Sequence, residues 1–297
     1  MNPRILILGG GGMLGHKLFQ VLREHCEVFA TFRQFDDRLR ETGLFDLSQV
    51  VDHVDAWDMS SVEEAVAGTR PTWVVNCIGI VKQLDEARDP KQSIYVNALF
   101  PHLVSEVSVK AGARFIHIST DCVFSGKKGD YLEDDPSDAD DLYGRTKFLG
   151  ETRSRDGLTL RTSIVGRDLF TNVSLVDWFL SERGKTVKGY EHAIYTGLST
   201  DALSREIWRI ISDHGELYGL YHVSAAKITK LALLTLVNRL FKAGVIIEPF
   251  EGVRCDRSLR SDRYREATGF TPPDWETMVR AMANDPTPYD RFRQAAG

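Results

Sequence analysis

A glycine-rich turn near the beginning of the chain is the feature that most restricts its fold. Residues 4–8 are a short continuous apolar run, as expected of a parallel strand that is buried on both faces. Glycines at positions 9, 12 and 15 follow, and apolar residues then recur at helical spacing. Without Cβ atoms, the turn lets a pyrophosphate approach the helix N-terminus, whose N–H groups favour anions. The residues predicted to bind a dinucleotide here are Gly9, Gly12, Met13, Leu14 and Gly15.

The rest of the first half alternates between strand and helix patterns. Strands are predicted at residues 27–33, 73–79 and 115–118, and the segment at 95–109 has helical character. This alternation is typical of a doubly wound parallel sheet of the Rossmann type.

The alternation loosens after residue 166. Helices are predicted at residues 173–180, 199–212 and 228–242, a strand at 186–190, and a strand at 220–224 that returns to the main sheet. We therefore predict an α/β fold with a dinucleotide-binding domain over residues 1–165. A smaller, mainly substrate-binding C-terminal lobe is expected over residues 166–297.

The end of the second strand indicates which nicotinamide cofactor binds. Folds of this type that prefer NADH place an acid there for the ribose 2′-hydroxyl, whereas an arginine suits the 2′-phosphate of NADPH. Arg33 stands at this end, and no acid appears before Asp36. The pattern favours NADPH and leaves NADH as the alternative; the other interpretation of Arg33 is an ordinary surface arginine.

Further cofactor contacts are predicted along the same edge of the sheet. Asp58, followed by Met59, is placed to accept from the adenine amino group, to cap the next helix, or to do both. The strand at 73–79 ends in the small segment Cys77, Ile78 and Gly79, which allows close approach of the nicotinamide ribose. Asn97 is interpreted either as a polar orienting group or as an exposed helical asparagine.

A tyrosine and a lysine follow the fifth predicted strand. Tyr143 and Lys147 lie four residues apart in a helical pattern, so both side chains project from one face. An ammonium near a phenol favours the phenolate, and we therefore expect the pKa of Tyr143 to be lowered. Thr120 ends the strand before them and is able to hydrogen-bond the same substrate oxygen. These three residues are the predicted catalytic groups for proton exchange with a carbonyl or alcohol oxygen during hydride transfer.

Composition excludes several other classes of protein. The chain has 297 residues, is 42% hydrophobic and 27% charged, and carries a net charge of −5, which favours a soluble globular protein over a nucleic-acid binder. No apolar run approaches the length of a membrane span, and the first strand leaves no room for a signal peptide. The four cysteines lie far apart, so we expect reduced thiols, a cytoplasmic location and no metal site.

With these motifs in this order, the chain resembles the extended short-chain dehydrogenase/reductases. Within them it is most similar to the dTDP-4-dehydrorhamnose reductase-like branch, whose S-T-D-x-V-F-x-G loop is matched by STDCVFSG at residues 119–126. Residues 160–166 resemble the strand that leaves the cofactor domain, and residues 256–261 and 268–270 with Trp275 resemble the closing segment. The likeness covers nearly the whole chain and is strongest before residue 166.

The resemblance implies an NADPH-dependent reductase that acts on the 4-keto group of a nucleotide-activated 4-keto-6-deoxy sugar. Such an enzyme supplies deoxysugars for cell-surface polysaccharides such as lipopolysaccharide. Tyr143 would protonate the substrate oxygen, Lys147 would bind the ribose hydroxyls, Thr120 would hold the carbonyl, and Ser119 would contact the cofactor. Candidates for contact with the nucleotide-diphosphate sugar are Lys82, Asp121, Cys122, Val123, Phe124, Arg167, Asp256 and Arg257. A homodimer is one alternative that the sequence leaves open.

Two departures from the family pattern define the alternative functions. Cys122 stands where the branch usually has an aromatic residue, and GDP-fucose synthases place an acid/base cysteine there. An epimerase, or an epimerase/reductase, would use Cys122 with a partner such as His192. Asp121 is followed by Cys122 and not by glutamate, which argues against a sugar 4,6-dehydratase. A regulatory subunit that retains the fold is the non-catalytic alternative, although it has no physical need for Thr120, Tyr143 and Lys147 together.

Overall fold

Seven parallel strands form the main sheet in the part of the chain that the structure describes. The structure is a computed structural model, and it describes residues 2–82, 88–152, 155 and 157–294. Its strands are β1 (Arg4–Leu8), β2 (Glu27–Thr31), β3 (Val50–Val51), β4 (Trp73–Asn76), β5 (Arg114–Thr120), β6 (Gly157–Thr162), β7 (Ile164–Val165), β8 (Thr186–Tyr195), β9 (Leu198–Ser199), β10 (Gly219–His222), β11 (Ile228–Thr229) and β12 (Ile246–Asp256). Its helices are α1 (Gly15–Leu22), α2 (Asp37–Glu41), α3 (Met59–Thr69), α4 (Pro90–Ser93), α5 (Phe100–Lys110), α6 (Leu142–Leu149), α7 (Leu175–Ser181), α8 (Thr200–Asp213), α9 (Lys230–Phe241), α10 (Asp262–Thr268), α11 (Trp275–Ala283) and α12 (Tyr289–Gln294).

The order of the main sheet is β10-β6-β5-β4-β1-β2-β3, and each neighbouring pair is parallel. The strand order reverses between β1 and β4, which opens a crevice at the carboxyl ends of the strands. Because β10 pairs with β6, the predicted return of the segment near residues 220–224 is confirmed. The predicted α/β fold with a doubly wound sheet of the Rossmann type is also confirmed.

The side chains of β1 show why this strand is apolar throughout. Ile5 and Ile7 belong to one core cluster, whereas Leu6 and Leu8 belong to a second cluster. Since successive side chains of a strand point to opposite faces, the two clusters cover the two faces of the sheet. All four residues are fully buried, and the strand therefore delivers the glycine turn to a fixed place at the sheet edge.

A second sheet lies in the C-terminal part of the chain. Its order is β11-β8-β12, with β8 parallel to β12 and antiparallel to β11. β8 is longer than the strand predicted at residues 186–190. β12 has no counterpart among the predicted strands, because Pro249 and Gly252 interrupt it and most of its side chains are exposed.

Some element boundaries differ from the prediction around the crevice. The strands predicted at residues 27–33 and 73–79 end at Thr31 and Asn76, where the chain leaves the sheet. The helix predicted over 95–109 begins as a π-helical turn, Ile94–Leu99, and continues as α5. Such π-turns recur at functional sites, and this one faces the crevice through Asn97.

Membrane-spanning helices and clusters of metal ligands are both absent from the described residues. Among the described residues, no helix combines the length and the apolar character that a bilayer crossing requires. Within the same residues, His, Cys, Asp and Glu side chains do not gather into a group of three or more that suits a metal ion.

Candidate active site

The glycine turn folds tightly against the end of β2. Gly9 has a positive φ of 87°, and its N–H donates to Oγ1 of Thr31 at 3.1 Å. A Cβ on Gly15 would overlap the carbonyl oxygen of Gly9 and come within 2.9 Å of its carbonyl carbon. Glycine is therefore required at both positions, since one needs a left-handed backbone and the other a close approach of α1 to the turn.

The N-terminus of α1 is open to an anion. Leu14 occupies the N-cap position, and no side chain caps the helix. Gly12 is exposed, and a Cβ placed there would meet only the carbonyl oxygen of Gly9, at 3.5 Å. Leu14 itself is buried in the core, so that its backbone, and not its side chain, faces the turn. An uncapped helix end beside a surface without Cβ atoms fits the pyrophosphate of a dinucleotide.

Arg33 and Asp58 flank the region where the adenosine half would lie. Arg33 is exposed just beyond β2, and within the described residues it makes no ion pair or hydrogen bond. Asp58 is the N-cap of α3 and accepts from the N–H of Ser60 at 3.1 Å, so the capping interpretation is confirmed. Met59 packs against the second core cluster. The contacts of Arg33 and Asp58 with the cofactor stay predictions.

Asn97 is buried, so the alternative of an exposed helical asparagine is wrong. Its Oδ1 accepts from the N–H of Ile80 at 2.9 Å, and its Nδ2 donates to the carbonyl oxygen of Ile80 at 3.0 Å. A Cβ on Gly79 would come 3.3 Å from Oδ1 of Asn97. Asn97 therefore orients the loop that follows β4, and both of its amide atoms are already in use.

The same loop meets the glycine turn. The N–H of Cys77 donates to the carbonyl oxygen of Leu8 at 3.0 Å, which continues the pairing of β4 with β1. Ile78 lies so close to Gly9 that a Cβ there would be 3.0 Å from Cγ1 of Ile78. The segments predicted to meet the pyrophosphate and the nicotinamide ribose are thus neighbours.

Helix α6 is held close to the crevice by two glycines. A Cβ on Gly144 would overlap the carbonyl oxygen of Cys122 and lie 2.6 Å from Cβ of Ala139. A Cβ on Gly150 would overlap the carbonyl oxygen of Asn97. One end of α6 therefore rests on the loop after β5, and the other end rests on the π-helical turn.

Tyr143 occupies a desolvated position beside Thr120. The phenol lies close enough to the hydroxyl of Thr120 for that hydroxyl to act on its pKa, and Cys122, Asp121 and Asp141 lie nearby. Burial, reinforced by the negative charges around it, raises the pKa of Tyr143 above its ordinary value. The expected lowering of this pKa by Lys147 is therefore wrong for the chain without ligands.

The lysine fails to lower that pKa because its ammonium group is directed elsewhere. Nζ of Lys147 donates to the carbonyl oxygen of Ile118 at 2.8 Å and lies 3.4 Å from Nε2 of His117. Burial lowers the pKa of Lys147 to about 8. The i, i+4 spacing correctly places both side chains on one face of α6, but tertiary contacts determine where the amine points.

Thr120 and Ser119 point to different partners at the end of β5. Thr120 accepts from the N–H of Cys122 at 3.1 Å and donates to Oδ1 of Asp121 at 3.3 Å. Ser119 donates its hydroxyl to Glu151 at 2.8 Å. The side chain of Ser119 therefore supports the sheet, its backbone pairs with β6, and its contact with the cofactor stays a prediction.

Comparison with known proteins defines the family. The profile of the RmlD substrate binding domain matches residues 3–287. The chain belongs to this family. The resemblance inferred from the sequence motifs is thereby confirmed.

Relatives of this RmlD-family chain match over nearly its full length. The spore coat polysaccharide biosynthesis protein SpsK of Bacillus subtilis strain 168 is 26% identical, over 93% of this chain and 95% of the relative. A probable dTDP-4,6-dihydroxy-2-methyloxan-3-one 4-ketoreductase of Streptomyces antibioticus is 28% identical, over 95% of each chain. The crystal structure of dTDP-4-dehydrorhamnose reductase from Bacillus anthracis in complex with NADP has a TM-score of 0.78 at 22% identity, covering 95% of this chain and 99% of that one.

Several of the substrate candidates of the RmlD-family chain border the crevice. Arg257 donates from Nε to the carbonyl oxygen of Phe124 at 2.8 Å, and its charge acts on Cys122 and Asp121. Lys82 is exposed and pairs with Asp141 at 2.5 Å, at the N-cap of α6. Burial raises the pKa of the Asp121 carboxyl. These residues form a rim of mixed charge above Tyr143.

Three of the four other candidates are corrected by their surroundings. Val123 and Phe124 are fully buried in a cluster with Tyr131 and Leu259, so their side chains are not available to a substrate. Arg167 is buried in ion pairs with Asp177 and, at 2.8 Å, with Asp290. Asp256 accepts from the N–H of Ser258 at 2.9 Å and faces Lys227 at 3.6 Å. Val123, Phe124 and Arg167 are therefore committed to packing or to a buried ion pair, whereas Asp256 stays partly exposed and its contact with substrate stays a prediction.

Three residues of the site escaped the sequence motifs. His117 contacts Lys147, and Asp141 caps α6 by accepting from the N–H of Gly144 at 2.7 Å. Glu151 binds Ser119 and also the buried Arg161, through two bonds of 2.6 and 2.7 Å. Asp141 could have been found from its position just before the helical pattern. His117 and Glu151 carry no such signal, because their partners come from other elements.

Proposed function

We propose that this chain is an NADPH-dependent reductase of the 4-keto group of a nucleotide-activated 4-keto-6-deoxy sugar. The observation that carries the proposal is the meeting of Thr120 and Tyr143 at the sheet edge, beside the loop and turn suited to a dinucleotide. The names of the relatives, which include a dTDP-sugar 4-ketoreductase and dTDP-4-dehydrorhamnose reductases, support the same reaction class. The product would serve as a precursor of deoxysugars in a polysaccharide or natural product.

Tyr143 acts as the proton donor in this reaction. A reductase needs a protonated phenol at the start, and the raised pKa of Tyr143 keeps the phenol neutral over the physiological range. Thr120 holds the substrate oxygen within reach of that phenol, since its hydroxyl lies beside the phenol at the end of β5. The proton passes from the Tyr143 hydroxyl to the substrate oxygen as the carbonyl becomes an alcohol.

The dinucleotide supplies the hydride when it is bound. The residues that would hold it are the backbone of Gly12 to Gly15, the loop from Cys77 to Gly79, and Lys147. Arg33, which is free of protein partners among the described residues, would meet the 2′-phosphate and so favour NADPH over NADH.

Arg257 is the residue best placed to meet the diphosphate of the substrate. Its guanidinium borders Asp121 and Cys122 and is held by the carbonyl oxygen of Phe124 through Nε, and its other nitrogens have no hydrogen-bond partner in the part of the chain that the structure describes. Guanidinium groups suit phosphate oxygens because they offer parallel N–H donors. Lys82 would add charge at the rim once its pairing with Asp141 opens.

The test is a panel of 4-keto-6-deoxy sugars linked to dTDP, GDP, UDP and CDP, with NADPH oxidation followed by absorbance at the nicotinamide band. Turnover with at least one member is expected, and the alcohol should appear in equal amount to the NADPH consumed. Tyr143→Phe is the control for enzyme-dependent chemistry. An absence of oxidation with every member, by a chain that still binds NADPH, would contradict the proposal.

The epimerase alternative lacks structural support. Burial, reinforced by Asp121, raises the pKa of the Cys122 thiol to about 12, which disfavours the thiolate that would remove a carbon-bound proton. The imidazole of His192, the partner considered for it, makes no hydrogen bond within the described residues, and its backbone pairs with β12 in the second sheet. Running the reaction in D₂O separates the two functions, because an epimerase would place deuterium at C3 or C5 and a simple reductase would not.

A further inference from the structure

A buried chain of polar groups ends at the amine of Lys147. The N–H of Ile78 donates to Oδ1 of Asn76 at 3.0 Å, and Nδ2 of Asn76 lies 3.3 Å from Nδ1 of His117. Nε2 of His117 in turn lies 3.4 Å from Nζ of Lys147. Asn76 and His117 are direct neighbours in the register of β4 and β5. Both side chains are inaccessible to water, with exposed fractions of 1% and 0%.

The direction of each hydrogen bond in this chain follows from its first member. A backbone N–H is always a donor, so Asn76 must present Oδ1 to Ile78 and its NH₂ group to His117. Nδ1 of His117 is then an acceptor, and a neutral imidazole with an accepting Nδ1 carries its proton on Nε2. That proton points at Lys147, and the bond is satisfied only when Nζ offers a lone pair.

An ammonium at Lys147 conflicts with this arrangement. Nε2 of His117 would have to accept, its proton would move to Nδ1, and Nδ1–H would face the NH₂ group of Asn76. Turning the amide of Asn76 removes that conflict but sets its NH₂ group against the N–H of Ile78. Protonation of Lys147 therefore costs one buried hydrogen bond whichever way the chain is arranged.

We propose that His117 is a positioning residue that governs the proton of Lys147, by presenting Nε2–H to Nζ and so favouring the neutral amine. The bond from Nζ to the carbonyl oxygen of Ile118 is compatible with either protonation state. A residue of β5 thereby controls how readily the lysine of α6 gains or releases a proton beside the nicotinamide site.

Burial and neighbouring charged groups also act on the pKa values of His117 and Lys147. Burial lowers the pKa of Lys147 to about 8, whereas Glu151 and Cys77 act to raise it. Burial also holds the pKa of His117 well below its ordinary value, and the charges of Lys147 and of His102 on α5 act the same way. Because His117 stays neutral, its single proton has only two positions, and those two positions are what the experiment distinguishes.

The direct test uses the full chain without ligands, labelled with ¹⁵N in histidine and with ¹³C at lysine Cε. The ring-nitrogen shifts report the tautomer of His117, and the Cε shift reports the titration of Lys147, assigned with Lys147→Met. We expect the proton of His117 to lie on Nε2 once Lys147 has lost its own. A proton that stays on Nδ1 above the titration of Lys147 would overturn the proposal.

Two variants shift the titration in a defined direction. His117→Phe removes the donor that faces Nζ, and the midpoint of Lys147 should rise by on the order of one pH unit. In Asn76→Asp the new carboxylate can only accept hydrogen bonds. The proton of His117 should therefore move to Nδ1, and the midpoint of the Lys147 titration should rise. An unchanged midpoint in His117→Phe, or an unchanged tautomer in Asn76→Asp, would contradict the proposal. His53→Asn, which changes an exposed histidine, is the control, and it should leave both signals unaltered.

The kinetic consequence rests on the proposed function. If the protonated lysine is the active form, the alkaline decline of kcat should move upwards in His117→Phe by the same amount as the titration of Lys147. If no sugar nucleotide of the panel is reduced, the proposed reductase function is wrong. The spectroscopic result still stands in that case, since the labelled chain is measured without substrate. If the alkaline decline of kcat stays at the same pH while the titration midpoint of Lys147 shifts, His117 does not act on catalysis through Lys147, and its positioning role in the reaction is overturned.

Discussion

Tyr143 and Lys147 show how burial, and not spacing alone, determines the chemistry of a side chain. Both residues lie on one face of α6, yet burial moves their pKa values in opposite directions because it disfavours the charged form of each. The phenol therefore retains its proton to higher pH, and the ammonium group releases its proton at lower pH. The neutral phenol is suited to giving a proton to an alkoxide-like oxygen, whereas the amine, with a pKa of about 8, is still mostly charged at neutral pH.

Replacing Tyr143 with phenylalanine should lower kcat by roughly two to four orders of magnitude, as for loss of a general acid. The affinity for NADPH should change little, because the substitution removes only a hydroxyl. Steady-state kinetics and cofactor titration by fluorescence measure the two quantities separately. Turnover close to that of the unmodified chain would rule out Tyr143 as the proton donor.

Replacing Arg33 with alanine should weaken NADPH binding on the order of tenfold to a hundredfold, since a charge-assisted bond to the 2′-phosphate is lost. The affinity for NADH, which lacks that phosphate, should be nearly unchanged. Arg183→Ala is the matched control, because Arg183 is also an exposed arginine but follows α7. Equal losses for both cofactors would show that Arg33 does not contact the 2′-phosphate.

At the scale of elements, α6 is the part that assembles the site. Gly144 rests on the carbonyl of Cys122 and Gly150 rests on the carbonyl of Asn97. Asp141 caps the helix and also pairs with Lys82 at the rim. The helix is therefore fixed at both ends, and its position controls the distance from Tyr143 to Thr120.

A single methyl group at Gly144 should displace α6. Gly144→Ala places a Cβ against the carbonyl oxygen of Cys122, so the free energy of unfolding should fall by about 1–3 kcal/mol and kcat should fall with it. Gly68→Ala on α3 is the matched control, since a Cβ there meets nothing within 4 Å. That change should stabilise the chain by up to about 1 kcal/mol and leave kcat unaltered. Urea denaturation and steady-state kinetics provide both readouts, and a fully active, fully stable Gly144→Ala would contradict the close approach.

At the scale of the whole molecule, buried histidines join segments that are distant in sequence. His16 bonds the carbonyl oxygen of Gly12 at 2.8 Å and the hydroxyl of Tyr289 at 3.1 Å, and so ties the glycine turn to the C-terminal segment. His222 on β10 lies 3.2 Å from Nη1 of Arg161 and bonds the carbonyl oxygen of Arg260. Burial lowers the pKa of His16 from 6.5 to about 4 and that of His222 to about 3.

These lowered pKa values make stability sensitive to acid. Below about pH 6.5 the unfolded chain takes up protons on these histidines while the folded chain does not, so the free energy of unfolding falls as pH decreases towards 4. In His16→Gln, the decrease in the free energy of unfolding between pH 7 and pH 4 should be smaller by on the order of 1–3 kcal/mol. Urea denaturation across this range measures it.

The exposed His53 offers a control for this acid sensitivity. Its φ is 60°, so His53→Asn is the conservative substitution, because asparagine tolerates the left-handed region. This variant should retain the acid sensitivity of the unmodified chain. An identical pH dependence in His16→Gln would mean that His16 is not the source of the effect.

The sequence alone determined the sheet, the glycine turn, and the presence of Thr120, Tyr143 and Lys147 at one edge of it. These features depend on local periodicity, on glycine conformation and on the rule that parallel strands end together, all of which are written in consecutive residues. The tertiary structure alone decided that Phe124 and Arg167 are internal, that β12 completes the second sheet, and that the amine of Lys147 faces His117. Burial and long-range partners decide such matters, since desolvation and hydrogen-bond direction depend on residues that meet only in the folded chain.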